Sequence, residues 1–422
     1  MPILNLFHVE LAFSVLTTVG KLQPAITQVV NKIVGDYANR KAIMLKVLQT
    51  VADQKHGYTY GKPLRVDEKS LAVVLPILRK TSLTRQYITF PETEKVLVFD
   101  TGKIDEMEAE NQTDSNVFIR SGTLFRGSTQ ERALQRSAVL FPGKKVKLGV
   151  RCVHASRGIS PNAGVKYGGI TPLDFDASNY SHGYTFADQG HTWSNVLKAT
   201  SSMNAKMGKP SKAPKVTSHL RMASSAGHEG LMLGSAGPVG DSGPAGYTGN
   251  TVYYSASPGV TSAETDMSAN IHASAFSGPK ADDLHTSFNE FAKHFDDILS
   301  KVKLVDDQAG LALITQAGVE TVEFFDHHLS WKALHEAAVK RLGSSIVDDG
   351  DENVFDYKPE AAIKQVNKVL GIDFKSNLIL EHRPSNGEPK IVITGLTGGG
   401  YVGEVVELDE RVIHLVLLKQ AA

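Results

Sequence analysis

The stretch that decides the fold runs from Gly122 to Arg157 and reads GTLFRGSTQERALQRSAVLFPGKKVKLGVRCVHASR. Near its end, Val146–Val153 alternates apolar with polar residues, and Cys152 falls on the apolar side. A period of two is typical of a strand with one buried face. The glycines and Pro142 are spaced as turn residues between such strands. The stretch therefore predicts consecutive β-strands joined by short turns.

Strands are also predicted on both sides of this stretch, with helices between and after them. Short runs rich in β-branched and aromatic residues, bounded by turn residues, indicate strands. The further predicted strands are Leu71–Leu78, Gln86–Phe90, Lys95–Asp100, Asn116–Arg120, Ala138–Phe141, Asn377–Glu381, Lys390–Thr394, Val402–Glu407 and Val412–Leu418. The predicted helices lie around Trp193, from Asp282 to Val302, after an N-cap at Ser330, and over Pro359–Leu370. The order predicts a mixed α+β fold with a largely antiparallel sheet and flanking helices.

Two segments extend this domain, which we place at residues 61–203 and 281–422. Residues 1–60 carry apolar stripes at helical spacing and predict an N-terminal helical extension. Residues 204–280 are rich in Gly, Ser and Pro and predict an insertion. Within it, glycine recurs at every third position from Gly234 to Gly249, the period that a triple helix of polyproline II chains requires. The insertion is either a glycine-rich loop or a short trimer-forming element.

The composition excludes several classes of function. The 422 residues are 41% hydrophobic, which is enough for one large core or two ordinary cores. The 45 basic and 45 acidic side chains cancel, so nucleic acid is not an expected partner. Cys152 is the one cysteine in the sequence, which excludes an intramolecular disulfide. The amino terminus has no basic residue before Lys21 and is too polar to span a bilayer. We therefore expect a soluble, cytoplasmic protein with no membrane contact.

The opening stretch resembles the signature of the ARG-and-rhodanese-phosphatase-superfamily-associated protein domain family. That signature has a Gly-x-x-Leu step, a Gly-x-x-Gln-x-Arg run, an apolar step before Pro, and a Val-x-Cys-Val strand followed by Arg. Here Phe125 replaces the Leu, and Gly158 stands where members commonly carry Trp. The matching residues are Gly122, Gly127, Gln130, Arg132, Val139, Leu140, Pro142, Val150, Cys152, Val153 and Arg157.

The resemblance covers most of residues 66–422. A Gln-x-x-x-Trp helix matches at Gln189 and Trp193, and a Phe-Asp turn after a strand pair matches at Phe325 and Asp326. The terminal strand around His414 is similar as well. Relatives are thought to sit beside ADP-ribosylglycohydrolases and phosphatase-like enzymes. The resemblance therefore implies an ADP-ribose-like or other NAD-derived ligand.

A polar cluster in the opening stretch is the best candidate for a ligand site. Arginine and glutamine offer planar sets of donors that suit a phosphate or an amide-bearing ligand. The backbone of Gly127 could approach such a ligand closely, and we expect the cluster to point outward from a rigid β scaffold. The alternative is a solvated loop or a structural set of ion pairs with Glu131. The candidate ligand-binding residues are Arg126, Gln130, Arg132, Arg136 and Arg157.

Three other patterns are weaker. Cys152 and His154 share the apolar side of their strand, which favours packing over a nucleophile and base. The Asp326-His327-His328 run is similar to part of a metal phosphoesterase motif, but the other carboxylates of that motif are not recognisable. The Gly-x-Gly-x-x-Gly run from Gly398 to Gly403 is followed by a strand, so it indicates a hairpin and no dinucleotide site. We assign no catalytic residue, no metal and no cofactor.

These observations favour a binding or assembly protein over an enzyme, with an ADP-ribose- or NAD-derived molecule as the ligand. One alternative is a self-assembling homo-oligomeric structural protein, such as a filament, tube or shell. Its contacts would come from the N-terminal helices or the glycine-rich insertion. A second alternative is a hydrolase of a nucleotide-type substrate.

Overall fold

The computed structural model describes residues 41–66, 72–127, 131–153, 164–180, 189–208, 252–254, 284–294, 296–346, 358–382 and 388–420. Of the predicted N-terminal helices, residues 41–52 fall within these ranges and are helical. The period-three glycines lie outside the described residues. The described residues divide into two compact units. Unit 1 lies within Met1–Glu92, Pro172–Phe186 and Phe295–Ala422, and unit 2 lies within Thr93–Thr171 and Ala187–His294.

The described residues form an α+β structure with extensive antiparallel pairing, as the sequence predicts. In chain order the strands are β1 (Tyr58–Tyr60), β2 (Leu64–Arg65), β3 (Val73–Arg79), β4 (Tyr87–Thr89), β5 (Val96–Asp100), β6 (Glu106–Asn111), β7 (Asn116–Ile119), β8 (Thr123–Arg126), β9 (Arg132–Leu134), β10 (Ala138–Leu140), β11 (Lys145–Cys152), β12 (Gly164–Ile170), β13 (Val252–Tyr254), β14 (Gln308–Thr315), β15 (Gly318–Phe325), β16 (Lys375–His382), β17 (Ile391–Gly398), β18 (Tyr401–Leu408) and β19 (Arg411–Lys419). The helices are α1 (Leu173–Tyr180), α2 (Gln189–Lys206), α3 (Leu284–His294), α4 (Asp296–Leu299), α5 (His328–Leu342) and α6 (Pro359–Leu370).

Unit 1 is built on a sheet that contains nine of its described strands. Eight of them follow the order β1-β3-β14-β15-β19-β18-β17-β16, and β2 also pairs with β3. All of its pairings are antiparallel. Side chains of β15 alternate between its two faces. Val322 and Phe324 enter an apolar core with α6 and the helical segment 41–52. The opposite face, which carries Glu323 and His414, packs against α1 and α5.

Unit 2 contains a closed β-barrel. Hydrogen-bonded pairs run from β11 through β6, β5, β12, β8 and β9 and return to β11, and each pair in this ring is antiparallel. Inward-facing residues of β5, β6 and β11 are buried, whereas Leu97, Glu108 and Lys145 point outward. The barrel is closed by pairs distant in sequence, such as Cys152 with Arg132.

Several helices and strands end where the sequence predicts, but one helix begins at a different residue. Gly343 and Gly371 are the C-caps of α5 and α6, as predicted. The Gly398–Gly403 run forms the β17–β18 hairpin, with Gly399 and Gly400 at positive φ. The expected N-cap at Ser330 is wrong. The N-cap is His327, whose backbone is extended and whose ring Nδ1 accepts from the backbone N–H of Leu329.

Candidate functional site

The barrel interior holds the central arginine of the predicted ligand site. Arg132 is buried, and its guanidinium donates to both carboxylate oxygens of Asp100 at 2.9 and 3.0 Å. It also donates to the backbone oxygens of Lys103 and Glu106. Burial lowers the pKa of Arg132, and the Asp100 charge opposes that shift. The expectation that Arg132 points outward is wrong, because its strand position faces the interior, where Asp100 supplies a buried counter-charge.

The other predicted ligand residues are not gathered around Arg132. The Arg126 side chain is 50% exposed, and its Nε lies 3.4 Å from Glu131 Oε1. This contact is the ion pair with Glu131 that the sequence predicts as the alternative to a ligand site. Arg136 is half-buried. Gln130 and Arg157 lie outside the described residues. A ligand-binding role for these four residues stays a prediction.

Cys152 has a structural environment. It is buried on the inward face of β11, as the strand pattern predicts, and it packs with Ile104 and Trp193. The side-chain amide of Gln189 hydrogen-bonds with the backbone of Cys152 in both directions. The Gln-x-x-x-Trp pair of α2 is therefore the element that holds this helix against the barrel strand. His154 lies outside the described residues.

A second polar group collects at one end of the unit 1 sheet. In an antiparallel sheet, the end of one strand lies beside the start of the next. Strands β3 and β15 end where β1 and β19 begin, through the pairs Arg79–Tyr58 and Phe325–His414. This end therefore brings together residues that are distant in sequence. We call the group the sheet-end cluster, and its members are Tyr58, Arg79, Tyr87, Asp326, His327 and Arg411.

Asp326 anchors the sheet-end cluster from inside. The Tyr87 hydroxyl donates to Asp326 Oδ1 at 2.8 Å and also reaches the backbone oxygen of Ile413 at 3.2 Å. Arg411 Nη2 lies 2.5 Å from Asp326 Oδ2, and Arg411 Nη1 donates to the backbone oxygen of Thr84. Burial raises the pKa of Asp326, although Arg411 and Tyr87 oppose the shift. The carboxylate thus fixes Arg411 at the edge of the cluster.

Arg79 is the unusual member of the cluster. Its residue is 9% exposed, yet no carboxylate of the described chain lies within ion-pair distance of its guanidinium. Its Nη1 donates to the neutral Tyr58 hydroxyl at 2.6 Å, and the guanidinium carbon lies 4.4 Å from the centre of the Tyr58 ring. By contrast, the buried Arg132 and Arg341 both contact carboxylates directly. Arg79 is therefore a nearly buried cation without a direct counter-ion in the described residues.

His327 adds a neutral donor beside these arginines. Its Nδ1 accepts from the Leu329 backbone N–H at 3.2 Å, so the neutral ring carries its proton on Nε2. Burial, the neighbouring His328 and the nearby arginines lower the pKa of His327 to about 4. The ring is therefore uncharged near neutral pH, and its Nε2–H donor lies at the N-terminus of the 15-residue helix α5.

The Asp-His-His run thus has a use other than the one its sequence suggests. Asp326 accepts from Tyr87 and pairs with Arg411, and His327 uses Nδ1 as a helix cap. Within the described ranges, the structure contains no group of three or more His, Cys, Asp or Glu side chains placed to hold a metal ion. Sequence reasoning missed the cluster because its arginines come from β3 and β19. The Phe-Asp turn and the Asp-His-His run were the signals that marked its position.

A comparison with known protein families identifies the family of the chain. The family model described as the ARG and Rhodanese-Phosphatase-superfamily-associated Protein domain matches residues 57–418. The chain belongs to this family. The match spans both units and includes the barrel signature and the sheet-end cluster. The family description names an association with ARG and with the rhodanese-phosphatase superfamily. Among curated proteins and solved structures, none matches the chain. No helix within the described residues has the length and apolar character to cross a bilayer.

Proposed function

We propose that the protein binds an anionic nucleotide-type ligand, ADP-ribose or a related NAD-derived molecule, at the sheet-end cluster. The observation that carries this proposal is Arg79, a 9% exposed cation with a phenol as its hydrogen-bond partner and no carboxylate contact in the described chain. Charged side chains are seldom this buried unless they are paired. Removal of a cation from water is costly, and a nearby anion offsets that cost.

The Asp326 charge acts on Arg79 from a distance, and a diphosphate adds a direct counter-charge that matches the donors around Arg79. Guanidinium groups bind phosphate through two parallel hydrogen bonds, and helix N-termini attract anions. Arg411 contributes a second guanidinium that Asp326 and Thr84 hold in place. The Nε2–H of neutral His327 adds a donor of fixed direction. The family association with ADP-ribose-related enzymes selects this class of anion.

Binding without hydrolysis is the activity that these contacts support. A general base needs a free acceptor within reach of water. Asp326 Oδ1 accepts from Tyr87, Asp326 Oδ2 contacts Arg411, and His327 Nδ1 accepts the helix N–H. The two groups that could act as bases therefore use their acceptor atoms inside the protein. We assign them positioning roles.

Isothermal titration calorimetry with ADP-ribose, NAD and AMP tests the proposal. We expect ADP-ribose to bind wild-type protein, and Arg79→Leu to weaken binding by a factor of about 100, the scale of a lost charge-assisted pair. Arg65→Leu is the matched control, because Arg65 is an exposed arginine of the same sheet and pairs with Val73, at the other end of β3 from Arg79. Binding by Arg79→Leu as tight as wild type, or no binding of any of these ligands to wild type, would contradict the proposal. Chromatography of the same mixtures detects hydrolysis, which we do not expect.

Self-association stays a separate prediction. It depends on the N-terminal helices and the glycine-rich insertion, most of which lie outside the described residues. Light scattering on the purified full chain tests it. A monodisperse monomer at all concentrations would remove the assembly alternative, whereas a concentration-dependent mass that is lost on deletion of residues 1–40 would support it.

A further inference from the structure

Four exposed apolar residues lie in segments that adjoin the sheet-end cluster. Among the described residues, five large hydrophobic side chains stand out for their exposure, and they are Leu83 (50%), Leu97 (37%), Leu304 (37%), Val305 (41%) and Leu329 (41%). Four of the five belong to unit 1, and Leu97 belongs to the barrel. Single exposed leucines are ordinary, but a group of them at one place on a surface marks an interaction site.

Hydrogen bonds connect the three segments that carry these four residues to the cluster. Leu83 precedes Thr84, whose backbone oxygen accepts from Arg411 at 3.1 Å. Leu329 donates its own N–H to His327. Leu304 and Val305 lie in the loop that ends at Asp307, whose backbone oxygen accepts from the Arg79 N–H at 2.8 Å. The four apolar residues therefore lie in two loops and in the first turn of α5, and each of these segments is hydrogen-bonded to a member of the cluster.

We propose that the sheet-end cluster and these four aliphatic side chains form one docking surface, and that its partner is a polypeptide carrying an ADP-ribosyl group. This inference rests on the proposed function. A free dinucleotide is polar along its length and gains little from leucine side chains outside the phosphate contacts. A modified polypeptide places apolar residues on either side of its attached anion. Burial of exposed aliphatic area against those residues strengthens binding, and the arginines hold the phosphates at the centre.

The partner chemistry is therefore an anion flanked by apolar peptide. The diphosphate contacts and the aliphatic contacts would contribute differently to the specificity of such a surface. The diphosphate contacts set whether binding occurs, and the aliphatic contacts set the preference for a peptide-linked ligand over a free one. Replacement of an aliphatic side chain should change the affinity for the modified peptide and leave the affinity for free ADP-ribose unchanged.

The test compares three probes by calorimetry or fluorescence anisotropy. The first is a synthetic peptide that is ADP-ribosylated on one serine and has leucines two residues to each side. The second has serines at those flanking positions, and the third is free ADP-ribose. We expect the leucine peptide to bind about tenfold more tightly than the other two, a gain that burial of a few aliphatic groups provides. Leu83→Ser and Leu329→Ser should remove this gain, and Leu97→Ser should retain it.

The outcomes separate this inference from the proposed function. Equal affinity for all three probes would overturn the peptide surface and leave nucleotide binding intact. A leucine-dependent gain that persists in Leu83→Ser and Leu329→Ser would also overturn it, because the gain would then come from another surface. Failure of every probe to bind would overturn the proposed function itself. Leu83 and Leu329 are exposed, so their replacement leaves the core unchanged.

Discussion

The side-chain amide of Gln189 pairs with the backbone of Cys152 as a neighbouring strand would. Its Oε1 accepts from the Cys152 N–H at 3.1 Å, and its Nε2 donates to the Cys152 oxygen at 2.8 Å. Pairing of β11 with β6 ends at Gly149, so the backbone of Cys152 requires other partners on that side. One residue of α2 supplies both.

Loss of this amide should weaken unit 2. We expect Gln189→Ala to lower the free energy of unfolding by about 1–3 kcal/mol, because two backbone groups of β11 lose their partner. Lys198→Ala on the exposed side of α2 is the matched control, since alanine suits a helix as well as either residue. Urea unfolding measures both variants. Equal stability of the two variants would show that the paired hydrogen bonds contribute nothing.

The buried pair of Arg132 and Asp100 should behave asymmetrically. Asp100→Asn leaves the guanidinium without its counter-charge inside the barrel, and we expect a loss of about 3–5 kcal/mol. The double variant Arg132→Met with Asp100→Leu removes both charges, and we expect it to recover most of that loss. Denaturant unfolding of the single and double variants measures the difference. A double variant less stable than Asp100→Asn would show that the lost hydrogen bonds of the pair, and not an unpaired charge, cause the destabilisation.

The hairpin between β18 and β19 stores backbone strain. Asp409 and Glu410 both have positive φ, at 49° and 64°, which side chains other than glycine seldom adopt. We expect Glu410→Gly to stabilise unit 1 by about 0.5–1 kcal/mol. Asp409→Gly should not, because Asp409 Oδ1 accepts from the Lys390 N–H at 2.8 Å. Thermal unfolding distinguishes them, and a destabilised Glu410→Gly would show that this turn is unstrained.

His327 should make stability depend on pH in a defined window. Its folded pKa of about 4 lies below the ordinary value of 6.5, so the unfolded chain binds more protons between those values. Stability should therefore fall as the pH drops from 6.5 to about 4. His327→Asn keeps an N-cap acceptor and removes the titrating group. We expect the stability of this variant to depend less on pH in that window.

Asp326 should change the stability in the opposite direction to His327 as the pH falls. It therefore provides a check on the His327→Asn experiment. Its folded pKa is raised, so its carboxyl favours the protonated state and adds stability as the pH falls toward 3.8. Comparison of His327→Asn with wild type leaves Asp326 in both proteins and isolates the histidine. Identical pH profiles for the two proteins would show that His327 is not desolvated by the surrounding structure.

Local sequence patterns predicted local structure well. The two-residue period of β11 placed Cys152 on the buried face, and Gly371 and Pro359 marked the ends of α6. Strand β6 was missed because its sequence, Glu106–Asn111, alternates glutamate with Met and Ala and lacks β-branched residues. Its glutamates lie on the outer face, where Lys145 and Lys147 pair with them.

Long-range pairing could not be predicted from one sequence. The orientation of Arg132 depends on Asp100, which is 32 residues away and reaches it through barrel closure. The sheet-end cluster depends on strand order, which brings Arg79 of β3 and Arg411 of β19 to the same end of the sheet. Neither relationship leaves a pattern within a window of adjacent residues. The sequence therefore indicated an arginine-rich cluster in the barrel signature but gave no sign of Arg79 and Arg411.

Unfolding of wild-type protein and Arg79→Leu, each with and without ADP-ribose, tests the role of Arg79 most directly. Ligand that binds the folded state stabilises it by about 2.7 kcal/mol at 100 times Kd. We expect that stabilisation in wild type and only about 0.4 kcal/mol in Arg79→Leu at the same ADP-ribose concentration, because a variant that binds about 100-fold more weakly is then at its own Kd. Without ligand, we expect Arg79→Leu to lower the free energy of unfolding by about 1–3 kcal/mol, because the buried Tyr58 hydroxyl loses its hydrogen-bond donor. Equal stabilisation of both proteins by ADP-ribose would contradict an anion site at Arg79.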